Sequence, residues 1–192
     1  MIWLNEVIDD PKKDKLYVVT EWLTNGSLGE LLEKKNEGKA TKGGLPVTQA
    51  REYLKDMLKA LHYCHNVAKV FHRDIKPENI MLNHNKEAIL IDFGVSALKG
   101  DDDFIHTKMG TLLYFAPEMF QSGKNFRVQG AKTDLWALGV TFFYLLSGKY
   151  PHEAGNFYDL KAKISNEEID FDHIYHEPAK NFLKKVLVKD PD

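Results

Sequence analysis

The order of the periodicities limits the fold more than any other feature of this chain. Runs of β-branched and aromatic residues open it, at residues 2 to 8 (IWLNEVI) and 15 to 20 (KLYVVT), around a polar turn carrying Pro11. They read as an antiparallel strand pair. Residues 21 to 26 (EWLTNG) form a connector, and from there helical spacing dominates. Ser27 to Lys35 reads as a short helix and Asn36 to Gly44 as a flexible solvated loop. Between Thr48 and Asn66, Ala50, Tyr53, Leu54, Met57, Leu61 and Cys64 give one buried face, with Thr48 as N-cap behind Pro46. Two short strands, 80–82 and 88–91, bracket the turn NHNKE, and helices are predicted over 134–147, 158–165 and 179–188. Strands first and helices after predict an α+β chain, a small β-rich piece attached to a larger helical one.

Composition removes several classes of function. With 26 basic against 28 acidic residues and a net charge of -2, the chain lacks the clustered Lys and Arg that a nucleic-acid partner requires. Its single cysteine, Cys64, cannot form an internal disulfide, and no charged-then-apolar leader opens the sequence. It therefore reads as intracellular and cytoplasmic, with the nucleus a second compartment. The longest apolar run, Leu135 to Leu146, is broken by Gly139 and Thr141 and falls short of the ~20 residues that cross a bilayer. It reads as a buried helix, so no membrane partner is expected.

The chemistry is concentrated in His72-Arg73-Asp74-Ile75-Lys76-Pro77-Glu78-Asn79, between the long helix and the second strand pair, and in Asp92-Phe93-Gly94 just after it. Asp74, Lys76, Asn79 and Asp92 supply two carboxylates, an ammonium and an amide at strand ends. This is the inventory for holding a magnesium-bound polyphosphate: hard oxygens for the metal, a cation for the transferring group, a carboxylate beside the nucleophile. One carboxylate at a strand end is more often a turn or a cap. The ordered set is far more specific.

With Ala116-Pro117-Glu118 and Asp134-Leu-Trp-Ala-Leu-Gly139, these segments resemble a eukaryotic protein kinase, a family whose signatures are well described. The resemblance implies ATP and Mg2+ as cofactors and a protein substrate, which includes the case of a downstream protein kinase. It implies Asp74 as catalytic base, Asn79 and Asp92 as magnesium ligands, and Lys76 beside the γ-phosphate. Lys76 and Thr111 are the types found in serine/threonine kinases. LYVVTEWLTNGSL resembles the last small-lobe strand and hinge of such a domain, with Glu21 and Leu23 receiving adenine, Thr20 behind it and Met81 among the nucleotide contacts. On this reading residues 1–20 are a small-lobe remnant, 21–27 a hinge and 28–192 the large lobe. His72, Phe93, Gly94, Glu118 and Asp134 would serve as structural motif residues. Val95 to Phe115 would be the activation loop, in which Thr107 is the expected phosphosite and Arg73 its partner; the plainer reading of Thr107 is an exposed loop hydroxyl. Asp101 to Asp103 reads as solvated loop. His62, Cys64 and His65 lack a second cluster at zinc spacing and read as helix packing.

Within that family, EVIDDPKKDKLYVV and GAKTDLWALGVTFFYLLSGKYPH are similar to the calcium/calmodulin-dependent protein kinase kinase group, although Leu112 stands where that group usually has Pro. No glycine-rich loop or ATP-positioning lysine precedes the hinge, and no Arg follows Val188-Lys189-Asp190-Pro191 to pair with Glu118. The chain is therefore expected to be a kinase domain cut at both ends, with any calmodulin-binding segment outside it. Two functions are carried forward: a serine/threonine kinase, and a kinase-derived scaffold or decoy that does not transfer phosphate.

Overall fold

The computed structural model describes residues 2–40, 43–100, 102–121, 123 and 126–190. It opens with the expected antiparallel hairpin, β1 (Leu4–Asp10) and β2 (Lys15–Thr20), paired from Leu4↔Thr20 to Asp10↔Lys15. Asp10 closes its turn, accepting from Lys13 N at 3.0 Å through its carbonyl and from Lys12 N at 3.1 Å through Oδ1. The strands form because their residues prefer extended backbone. Their apolar side chains nevertheless stay in solvent, Leu16 at 64% and Val18 at 59% exposure, and none joins the core.

The connector ties this hairpin to the body through backbone. Leu82 N donates to Gly26 O at 2.9 Å, Asn25 Nδ2 donates to Asn83 O at 2.6 Å, and Ser27 bridges Met81. Gly26 takes φ +72°, a turn conformation that a side chain resists. Ser27 then caps α1 (Leu28–Asn36) in a reciprocal box with Glu30. Asn36 is the last residue of that helix rather than the start of a flexible loop. Its amide donates to Leu32 O and Gly43 O, and Gly43 N donates back to its Oδ1 at 2.9 Å.

α2 (Val47–Tyr63) buries Ala50, Tyr53, Met57 and Leu61, the face read from its period. Its N-cap is Pro46 and not Thr48, because the helix begins at Val47, two residues earlier than a cap at Thr48 would start it. The helix widens at its end into a π turn, Cys64–Ala68, closed by Lys69 in the left-handed region at φ 55°. β3 (Val70–Phe71) follows, then β4 (Ile80–Leu82) and β5 (Ala88–Leu90), which pair antiparallel. β6 (Ala97–Leu98) pairs with β3, and β7 (Phe104–Ile105) with β8 (Val128–Gln129).

α3 (Gly130–Ser147) runs through the middle of the core. It starts before Asp134 because Gly130 can lie against the Phe71 ring, where a Cβ would come within 2.4 Å. Its apolar stretch is buried as expected, and no helix among the described residues is long and apolar enough to cross a membrane. α4 (Phe157–Asn166) and α5 (Glu177–Val186) complete the fold. α5 closes on Gly139 of α3, where a Cβ would meet Val186 and Leu187 at 2.8 Å.

Candidate active site

The loop between β3 and β4 has little regular structure of its own, so buried polar groups must fix its shape. Asp134, on the first turns of α3 and 1% exposed, does most of this. Its Oδ2 accepts from His72 N at 2.9 Å and its Oδ1 from Arg73 N at 2.8 Å. A carboxylate holding two consecutive amides fixes the backbone between them, which lets Arg73 sit at φ 69°.

His65 supplies a third bond to Asp134, with Nε2 at 2.7 Å from Oδ2. The residue-by-residue reading missed this partnership, since helical period alone gives no reason for His65 to turn inward and the π turn carries no recognisable spacing. Cys64 beside it is buried in the core, and burial, followed by the charge of Asp134, pushes its thiol up. His62 bonds Asn66 instead, so the three residues go to three places.

His72 is fully buried and its ring has one consistent tautomer. Nε2 donates to Ile91 O at 2.9 Å, since a carbonyl can only accept, which leaves Nδ1 to accept from Asp74 N at 3.3 Å. Its ring meets Phe93 edge-on at 4.7 Å. Both contacts join the loop to the Asp92-Phe93-Gly94 segment.

Asp74 is the hub of the side chains that face outward from this frame. Thr111 Oγ1 donates to its Oδ1 at 2.7 Å, Lys76 Nζ lies 2.7 Å from its Oδ2, and Asn79 Nδ2 reaches Oδ2 at 3.0 Å and the Asp74 carbonyl at 2.8 Å. Lys76 Nζ also donates to Thr111 Oγ1 at 2.9 Å, closing the circuit. Burial pushes the Asp74 carboxyl up, but the bonds from Lys76 and Thr111, the Lys76 charge and the Asn79 amide together outweigh it. The group is held below the ordinary carboxylate value and is ionised at neutral pH.

Asn79 and Asp92 are drawn together by the β4–β5 pairing and by Ile91 N, which donates to Asn79 O at 2.9 Å. With Nδ2 of Asn79 committed to Asp74, its Oδ1 is the atom left to a cation. Asp92 is exposed at φ 61°, and one of its oxygens accepts from Gly94 N at 3.1 Å. An amide oxygen and an exposed carboxylate fit a hard divalent ion.

The remaining residues singled out from the sequence lie around this centre. Arg73 Nη1 donates to Thr107 Oγ1 at 2.7 Å, and its other nitrogens reach Val95 O at 2.5 Å and Ser96 O at 3.2 Å. Gly110 packs on the Arg73 carbonyl, where a Cβ would stand 2.2 Å away. Glu118 is half-buried in the short 3₁₀ turn Pro117–Phe120. In the connector Leu23 is buried, while the polar contacts of Thr20 and Glu21 are local: Thr20 Oγ1 donates to Glu21 O at 3.4 Å, and Glu21 Oε1 accepts from Trp3 N at 2.9 Å. Asp102 and Asp103 hold ion pairs rather than standing free, and Asp101 and Pro191 lie outside the described residues.

Residues 1–192 match the model of the family described as protein kinase domain. CBL-interacting protein kinase 32 of Oryza sativa subsp. japonica is 37% identical over 182 residues, covering 93% of this chain and 39% of that protein. CBL-interacting serine/threonine-protein kinase 16 of Arabidopsis thaliana is 34% identical over 190 residues, covering 94% and 38%. The chain thus spans about two fifths of the length of these curated relatives. They are CBL-interacting kinases and not members of the calcium/calmodulin-dependent kinase kinase group, so the likeness they establish is to serine/threonine kinases at the level of the domain.

Proposed function

Because the chain belongs to the protein kinase family, we propose that it carries the phosphoryl-transfer centre of a serine/threonine protein kinase. The observation that carries this reading is the closed circuit of Asp74, Lys76, Thr111 and Asn79. It gathers an ionised carboxylate, an ammonium, a hydroxyl and the Asn79 amide around one point.

The proposed reaction uses these groups as follows. A substrate hydroxyl oxygen attacks the γ-phosphorus of ATP, the bond to the β–γ bridging oxygen breaks, ADP leaves, and the hydroxyl proton passes to Asp74. Since the Asp74 carboxyl is a weak base, it orients the hydroxyl first and takes the proton late, as suits a loose transition state. Lys76 holds Asp74 in place and presents its charge to the transferring group. Magnesium, when bound at Asn79 and Asp92, neutralises charge on the polyphosphate. Residues 21–27 serve as the hinge in this proposal, with Glu21 and Leu23 receiving adenine and Thr20 and Met81 beside it.

The scaffold reading is less favoured, because the catalytic-loop residues Asp74, Lys76 and Asn79 are all present and bonded to one another. The substrate is a protein. For the whole protein a CBL-type partner, named in its relatives, is a stronger proposal than calmodulin, which rests on the subgroup resemblance alone. The test is incubation of the full-length protein with Mg-ATP and arrays of serine, threonine and tyrosine peptides. Phosphate on serine and threonine is expected; transfer to tyrosine, or to none, would overturn the reading.

A further inference from the structure

The segment that carries Thr107 is gripped at a second place, away from the catalytic circuit. β7 and β8 are only two residues each, yet the pair is rooted in the core through Ile105 and Val128, 3% and 4% exposed. Gly130 N, at the start of α3, donates to Asp103 O at 3.0 Å. On the outer side the Arg127 guanidinium stacks on Phe104, 3.7 Å from the ring centroid, and its Nη2 lies 3.7 Å from Asp102 Oδ2. His106 Nε2 stands 3.8 Å from the same carboxylate, and Lys99 pairs with Asp103.

These contacts bear on Thr107 because it follows β7 by two residues and its hydroxyl accepts from Arg73 at 2.7 Å. Phosphate commonly orders such a segment by adding charge-assisted bonds to arginine. Here the backbone pairing, the core residues beneath it and the stacked arginine already bring the segment to Arg73.

We propose that Arg127, stacked on Phe104, is a positioning residue that clasps the activation segment onto β8, so that the segment's placement does not depend on negative charge at Thr107. The proposal deepens the kinase reading and rests on it for its catalytic consequence. Its structural half stands separately, because the clasp is a property of the folded chain whether or not phosphate is transferred.

The experiment compares full-length wild type, Arg127→Ala and Arg127→Lys, each treated with phosphatase. Amide hydrogen exchange over residues 103–107 is expected to quicken about fivefold to tenfold in Arg127→Ala and to stay near wild type in Arg127→Lys, which keeps the cation. Melting temperature should be unchanged, which separates the clasp from a general loss of stability. In the transfer assay, phosphatase treatment should lower the wild-type rate by less than about threefold, and Arg127→Ala should lower kcat about tenfold with KM little changed. Unchanged exchange in Arg127→Ala overturns the clasp whatever the rate. A hundredfold loss on phosphatase treatment overturns the independence from charge at Thr107. Quickened exchange in Arg127→Ala, together with a wild-type protein that transfers no phosphate, supports the clasp and counts against the kinase reading alone.

Discussion

The β1–β2 hairpin and the loop between β3 and β4 are built on opposite plans. The hairpin is paired in unbroken register from Glu6 to Asp10, with one irregularity between Leu4 and Glu6, yet its apolar side chains face water. The loop has almost no repeating structure and holds Arg73 at a left-handed φ of 69°, with Asp92 likewise at 61° beyond β5, yet it is organised around His72 and Asp134, both 1% exposed or less. Regularity and energetic weight are therefore different properties. Propensity shapes the hairpin, whereas buried hydrogen bonds to one carboxylate shape the loop.

That contrast is easiest to break at Asp134. Asp134→Ala strands the amides of His72 and Arg73 and the ring of His65, so a loss of about 3–5 kcal/mol is expected in urea unfolding. A loss under 1 kcal/mol, on the order of a surface change, would remove the distinction. Leu183→Ala, at a fully buried site of α5, is expected to cost about 2–4 kcal/mol by the same measurement.

Acid should act on the body and spare the hairpin. His152 is 7% exposed, and its Nε2 has no hydrogen-bond partner. Burial first, then the nearby Lys189 and Lys163 cations, hold its imidazole below the ordinary 6.5, with Glu167 and Glu168 partly opposing them. The unfolded chain then takes up the proton before the folded one does. The His152 contribution to stability is flat above 6.5 and is lost as pH falls from there towards the lower folded value. Unfolding measured from pH 7.5 to 5 should show this slope, and His152→Gln should flatten it. The smallest effect is expected in the hairpin, where Leu16→Thr, at a 64% exposed site, should change stability by less than about 0.5 kcal/mol.

The same contrast explains what was legible in the sequence. Runs of β-branched and aromatic residues located β1 and β2, and helical patterning located α1, α2, α3, α4 and α5 to within a few residues, while β4 and β5 were placed by the polar turn they bracket. β3, β6, β7 and β8 were not legible, since two residues carry no period and their pairing is decided by what packs beneath them. Asp74, Lys76, Asn79 and Asp92 were picked out as a candidate set by residue type and order, and the structure joins the first three by direct bonds and ties the segment of Asp92 to Asn79 through Ile91 N. His65 was not readable, because only the π turn aims it at Asp134. Arg127 was equally hidden, being one exposed cation among many until β8 sets it over Phe104.

In the proposed mechanism Asp74 is the proton acceptor of a phosphoryl-transfer centre. The most direct measurement is the rate of γ-phosphoryl transfer from Mg-ATP to a serine peptide by the full-length protein and by its Asp74→Asn variant, at matched melting temperature. A fall of about a thousandfold or more in kcat is expected for Asp74→Asn if Asp74 accepts the proton. A rate within threefold of wild type would contradict it.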